Sequence, residues 1–282
     1  MTDEIEFNPS LWRRIVAVTR LVWLMLVTLV AAVSLAIGKL VTPRRWGQQW
    51  RIWHFHVWSR LLIHGMGGRS SCHGKVPDRP FFLASNHHSY LDIPVLAQYL
   101  PCVFVSKAEV RDWPFVGWLT RLADTIYINR ERRRDIPQAN AAIRTALDRG
   151  DSVALFPEGT SSDSPWALPI RPPLLQEVAL ANIPLHTAAL HFATQPGDPS
   201  PRDAIYYFRD LSFASHVWML LHLRGFTVTV RLAPEAVSHR DRKQLAEQVR
   251  EQIHALQAIA NGTDERPVDS DEQAITLGSM RR

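Results

Sequence analysis

Cysteine is nearly absent: the 282 residues contain only Cys72 and Cys102. At most one bridge could form, so neither a disulfide framework nor a four-thiolate zinc site is available. Lysine is scarce too, occurring only at positions 39, 75, 107 and 243, so arginine carries the positive charge. No P-loop or dinucleotide glycine pattern occurs, which removes the usual cradles for a nucleotide cofactor. No H-E-x-x-H pair is present, and no internal repeat. Acidic excess is also lacking. The net charge of +5 suits an anionic membrane surface or an anionic substrate, and nucleic acid only weakly. Charged residues at 21% and apolar residues at 46% exclude a disordered chain. What the chain has in quantity is tryptophan, ten residues of it, and these cluster.

Charge is missing altogether from Leu21 to Gly38, eighteen residues. As a helix this run would reach about 27 Å, close to the hydrocarbon thickness of a bilayer. Ser34-Leu35-Ala36 could pass as a signal-peptide cleavage site. Against cleavage, Lys39, Arg44, Arg45 and Arg51 follow at once, and such a run resists translocation. An uncleaved anchor is therefore expected, with the segment after it in the cytoplasm. In Arg45–Met66, Trp46, Trp50, Trp53 and Trp58 alternate with arginines, as suits an interfacial helix among lipid headgroups. The expected organisation is a tail and anchor over 1–40, an interfacial amphipathic helix over 41–66, one folded domain over 67–259 and a disordered polar tail over 260–282.

Beyond Gly68, short apolar runs alternate with helix-length amphipathic ones. Strands are expected at Phe81–Ser85, Cys102–Ser106, Thr125–Ile128, Ser152–Phe156, Ile183–Leu190, Ile205–Phe208 and Phe226–Leu232. Helices are expected at Tyr90–Leu100, Val116–Ala123, Pro137–Arg149, Leu174–Asn182, His216–Leu223 and Asp241–Ile259. This alternation predicts an α/β fold, a single domain whose mixed sheet is flanked by helices. The apolar group Trp113, Pro114, Phe115, Val116, Trp118 and Leu119 reads either as core or as a wall facing lipid.

Three places could carry chemistry. The first strand leads into Asn86-His87-His88-Ser89-Tyr90-Leu91-Asp92. Asp92 could accept the Nδ1 proton of His87 and leave Nε2 as a base. It could equally cap the helix that starts at Ser89, and the residues alone leave both readings open. Phe156-Pro157-Glu158-Gly159-Thr160 follows a strand and reads as a turn, or as a place where Gly159 lets a ligand approach and Thr160 helps hold a polar headgroup. Arg130, in Tyr127-Ile128-Asn129-Arg130, could make a bidentate contact with phosphate or carboxylate.

Taken together, NHHSYLD, then INR, then FPEGT, in this order behind an apolar helix, resemble the lysophospholipid acyltransferase family. Val105–Glu109, Trp113–Gly117 and Ile183-Pro184-Leu185 are also similar to the family's segments. The resemblance implies an acyltransferase domain in which His87 deprotonates a lysolipid hydroxyl and Asp92 orients His87. Arg130, Glu158, Gly159 and Thr160 would hold the acceptor. The partners it implies are a lysolipid acceptor, acyl-CoA or acyl carrier protein as donor, and membrane lipid, at the cytoplasmic face of a bacterial inner membrane. It implies no metal and no cofactor beyond the donor, and no nucleic acid.

Glycerophosphate-specific members usually carry a Phe-Lys-x-Gly-like segment, where this chain reads Leu168-Pro169-Ile170-Arg171-Pro172-Pro173-Leu174-Leu175. That departure looks more like the branch that acylates lyso-ornithine lipid. Two other classes remain as alternatives. A metal-dependent hydrolase would use His54, His56, His87, His88 and Asp92, and a non-catalytic membrane adaptor would use only the anchor and the Trp/Arg helix.

Overall fold

The computed structural model describes residues 10–41, 44–113, 116–129, 136–208, 212–260 and 262. The expected tail lies outside these apart from residues 260 and 262, as do residues 1–9, Pro114, Phe115 and Arg130.

Two long helices come first, α1 (Leu11–Val41) and α2 (Arg44–Gly65). The buried residues of α1 are Ala17, Val27, Thr28, Ala32, Leu35 and Gly38, most of them small enough for a close approach. A Cβ on Gly38 would lie 1.9 Å from Nε1 of Trp50, so only glycine admits that indole. Most of the remaining surface of α1 exposes large apolar side chains, such as Met25, Leu29, Val30 and Ile37. Among the described residues α1 is the one helix long and apolar enough to cross a membrane.

The rest of the chain is built on a seven-stranded sheet in the order β1-β7-β6-β2-β5-β3-β4. The strands are β1 (Gly68–His73), β2 (Phe82–Ser85), β3 (Cys102–Lys107), β4 (Ile126–Ile128), β5 (Ser152–Leu155), β6 (Leu185–Thr194) and β7 (Phe226–Leu232). β2 to β6 run parallel to one another, while β6 and β7 pair antiparallel. The central strands FLAS and SVAL are buried along their whole length, as expected where helices cover both faces.

Strand alternation divides the core into two layers. Leu83, Phe104, Ala154 and Phe192 face α2, α3 (Asp92–Ala97) and α8 (Phe213–Leu221). Phe82, Val103, Val153 and Leu155 face α5 (Ile136–Asp148), α6 (Gln176–Leu180) and α9 (Arg242–Ala260). Each such aromatic or branched side chain stabilises the fold by about 1.5–3 kcal/mol through its burial. The remaining α-helices among the described residues are α4 (Val116–Leu122) and α7 (Pro201–Ala204).

Among the described residues one strand lies where none was expected, and one expected strand is absent. Gly68–His73 is a strand although its sequence is polar, because it is an edge strand whose Ser70 and Ser71 bond to side chains rather than fill a core. Ile205–Phe208 is not a strand. The Tyr207 N–H donates to the carbonyl of His88 at 2.8 Å, so this backbone serves the site loop rather than a sheet neighbour. Trp113 and Trp118 are half-exposed and do not belong to the buried core.

α1 is tied to the domain near both of its ends. At one end Arg13 pairs with Asp198 at 3.1 Å. The Arg20 guanidinium donates to the carbonyls of Leu221, the last residue of α8, and of Leu223 just beyond it. At the other end Lys39 pairs with Asp124 at 2.9 Å. Beneath it Arg51 of α2 is buried and pairs with both Asp124 and Asp151. This charged junction lies at the N-terminal ends of β4 and β5, the opposite end of the sheet from the histidines.

Candidate active site

The parallel strands β2 and β5 end side by side, so whatever follows them in sequence meets above the sheet. After β2 comes Asn86, whose side chain continues the ladder. Its oxygen accepts the Leu190 N–H at 2.8 Å and its nitrogen donates to the Leu190 carbonyl at 3.0 Å. The backbone then turns into α3, and Asp92 sits at the start of that helix, fully buried.

One oxygen of Asp92 receives three bonds. His88 N–H reaches it at 2.7 Å, Ser89 N–H at 2.9 Å and Nδ1 of His87 at 2.8 Å. The same atom thus ties the turn that precedes α3 and holds the His87 ring, and α3 itself has no side-chain cap. A carboxylate oxygen can only accept, so His87 carries a proton on Nδ1, and Nε2 is the ring nitrogen not tied to Asp92. The His87 ring is fixed from one face by Phe156, stacked at 4.1 Å.

His88 is placed differently, because both of its ring nitrogens are engaged. Nδ1–H donates to the Ser162 carbonyl at 3.0 Å and Nε2 accepts from Asn86 at 2.9 Å. Its ring stacks on Tyr206 at 4.2 Å, and burial lowers its pKa, which keeps it neutral. It fastens loops rather than offering a base.

Glu158, which follows β5, is buried. Its two oxygens accept one backbone N–H each, from His87 at 3.1 Å and from Leu168 at 3.1 Å. Burial pushes its carboxyl up to about 7, with Asp92 adding to the rise and the two N–H bonds opposing it. The proton is held more tightly in the folded state than in the unfolded one. Stability from this group is therefore fully present below about 4.5 and is lost as pH rises toward about 7. Glu158→Gln can accept only one of the two N–H groups and turns an NH₂ toward the other. It is expected to cost about 1–3 kcal/mol. Its unfolding midpoint should also lack the decline between those pH values. Identical midpoints and slopes in the two proteins would refute this account.

Gly159 adopts φ +80°, and a Cβ there would come within 2.8 Å of Nε of Arg171, so the arginine lies directly against this glycine. Thr160 is exposed and its hydroxyl donates to the Ser161 carbonyl at 3.3 Å. His87, Asp92, Glu158 and Gly159 are thus gathered at one edge, while Arg130 lies outside the described residues. Sequence reasoning gave no role to Asn86 or Arg171, and nothing in the local pattern signals their partners.

Of the histidines considered for a metal, His54 and His88 have both ring nitrogens bonded elsewhere, whereas both ring nitrogens of buried His56 lack a hydrogen-bond partner among the described residues. His54 bonds to Ser34 at 2.7 Å and to the Trp50 carbonyl at 2.8 Å, within the helix pair. Among the described residues no three His, Cys, Asp or Glu side chains gather as a ligand set.

A histidine with Nδ1 bonded to a buried carboxylate, at the carboxyl edge of a mixed sheet, is an arrangement suited to taking a proton from a hydroxyl. The same segment carries a family match: a sequence model described as Acyltransferase covers residues 69–192. The chain is 30% identical over 186 residues to the 1-acyl-sn-glycerol-3-phosphate acyltransferase of Neisseria gonorrhoeae, covering 64% of this chain and 72% of that one. It is 30% identical over 231 residues to the lyso-ornithine lipid O-acyltransferase of Pseudomonas aeruginosa, covering 81% and 86%. The corresponding Brucella abortus protein is 31% identical over 214 residues, covering 70% and 79%. The crystal structure of the 1-acyl-sn-glycerophosphate acyltransferase of Thermotoga maritima has the same fold, with a TM-score of 0.63 at 20% identity over 87% of this chain and 98% of that one. The chain belongs to the lysophospholipid acyltransferase family.

Proposed function

We propose that the protein transfers a fatty acyl group from acyl-CoA or acyl carrier protein to the hydroxyl of an anionic lysolipid, lysophosphatidic acid or lyso-ornithine lipid. The observation that carries this reading is the 2.8 Å contact between His87 Nδ1 and an Asp92 oxygen already tied to two backbone N–H groups. Nε2 of His87 takes the proton of the lysolipid hydroxyl, and that oxygen attacks the thioester carbonyl. The tetrahedral intermediate collapses by breaking the C–S bond, and the departing thiolate takes the proton from His87. No covalent enzyme intermediate and no cofactor beyond the acyl donor enter this sequence. Asp92 keeps the ring oriented and stabilises the transient imidazolium.

Gly159 and Thr160 line the acceptor side in this reading. Arg171, held against Gly159, supplies a cation for the acceptor's phosphate or carboxylate, a role also assigned to Arg130. Glu158 acts through its two N–H bonds, keeping the His87 backbone and the loop near Leu168 in place.

The protein is membrane-bound in this proposal, at the cytoplasmic face of a bacterial inner membrane. The exposed apolar side of α1 supports the lipid contact, and the basic residues that follow it support the orientation. The ties at Arg13, Arg20 and Lys39 favour α1 lying beside the domain in one face of the bilayer over its carrying one end to the far side.

The test is an acylation assay on membranes containing the protein, with each donor offered separately to each acceptor. Acylated product is expected from at least one pairing, and the preferred acceptor shows whether the Arg171 segment serves a phosphate or a carboxylate. Folded protein that gives no product with any pairing would overturn the reading.

A further inference from the structure

The segment from Pro157 to Arg171 is long and irregular, and in the reading above it carries Glu158, Gly159, Thr160 and Arg171 of the acceptor side. A loop of this length needs outside partners for its backbone. On the site side it has them: Ser162 N–H donates to the His87 carbonyl at 3.0 Å and the Ser162 carbonyl accepts from His88 Nδ1 at 3.0 Å, while within the loop Leu168 N–H donates to Glu158. On the far side the partners come from α9, which lies wholly outside the segment matched by the family.

Both polar groups of the Ala167 backbone are taken by α9 side chains. The N–H donates to Oε1 of Gln257 at 2.9 Å, and the carbonyl accepts from Nε2 of His254 at 3.0 Å. Gln257 and Ala167 are both buried, so neither can exchange its partner for water. A backbone N–H and a carbonyl admit only one assignment of these side chains: the amide oxygen accepts and the Nε2–H donates. Trp166 packs edge-on against the His254 ring at 5.7 Å, which fixes that ring in turn.

We infer that Gln257 and His254 are positioning residues that clamp the acceptor loop over His87. The path is continuous: the α9 side chains hold Ala167, the adjacent Leu168 N–H holds one oxygen of Glu158, and its other oxygen holds the His87 N–H. Releasing the clamp frees the acceptor wall but leaves the acyl donor unaffected. The catalytic part of this inference rests on the acyltransferase reading above, and the structural part does not.

The experiment uses the full chain in membranes or detergent, with variants Gln257→Ala, His254→Phe and His254→Gln. Phenylalanine keeps the ring against Trp166 but removes the donor, whereas glutamine restores a donor. Hydrogen exchange of the 158–171 amides is read first. Faster exchange there, including at Leu168, is expected in the first two variants and recovery in the third. In the same proteins the acceptor KM should rise roughly ten-fold in the first two, as for loss of one buried bond, with the donor KM unchanged. Unchanged exchange over 158–171 would overturn the clamp. Donor and acceptor KM values rising together would overturn the assignment to the acceptor side. If no variant and no parent protein turns over, the acyltransferase reading has failed, and the exchange result still decides the clamp.

Discussion

Replacing His87 by alanine is expected to lower turnover by about 10²–10⁴-fold, the usual worth of a positioned general base. The protein should still fold. The side chain of His87 donates one bond to Asp92, while the two backbone N–H bonds to that carboxylate belong to residues 88 and 89 and survive the substitution. The neighbour cannot substitute, because His88 has both nitrogens committed to Asn86 and Ser162. Asp92→Asn is the informative control. Oδ1 of Asp92 has no hydrogen-bond partner among the described residues, so an asparagine can keep its oxygen at the Oδ2 position and place its NH₂ at the other. It retains the ring orientation and loses the charge, so its rate should fall between the parent and His87→Ala. Turnover of the alanine variant within three-fold of the parent would remove His87 from the chemistry.

Substituting Arg51 by methionine is expected to produce the largest loss of stability, about 3 kcal/mol. Breaking a buried ion pair costs about 3–5 kcal/mol because the remaining charge has lost its compensation. The lower figure applies because Arg149 and Gln48 also reach Asp151. Methionine preserves the packing of the stem, so the change reports the charge. The contrast is Arg144→Ala, which removes an exposed i,i+4 pair with Asp148 and should cost no more than about 0.5 kcal/mol. Adding Asp151→Asn to the Arg51 variant should recover part of the loss. Denaturant unfolding of the four proteins checks this, and equal effects for Arg51→Met and Arg144→Ala would refute it. The result also bears on function. Arg51 joins the α2 helix to the strand ends at Asp124 and Asp151, so the same substitution should loosen the helix pair from the domain.

Much of the site was legible because its signals are local. The run Leu21–Gly38 became part of α1, since eighteen uncharged residues have few alternatives to a helix. β2 and β5 were readable as short apolar runs followed by turns, and their ends brought His87 to Glu158. Asp92 stands five residues from His87, a distance at which a strand end and a helix start return the chain upon itself. Where local signals were weak, reading failed. The polar strand Gly68–His73 has no apolar alternation because it lies at the sheet edge, and Ile205–Phe208 looked like a strand because its apolar residues fill a core without joining a ladder.

The sequence by itself determined the long apolar helix and the α/β class, because each follows from local runs of residues, and the resemblance of its motifs singled out the histidine–carboxylate pair that the residues alone left open. Only the tertiary structure decided the use of Glu158, which reaches His87 across 71 residues. It likewise decided the Asn86 bridge across 104 residues, the Arg51 to Asp151 pair across 100 and the grip of Gln257 on Ala167 across 90. A buried polar group must find some partner, and the composition of the chain says so. Which partner it finds depends on where the sheet and its two helical layers bring distant backbone together, and no local pattern carries that information.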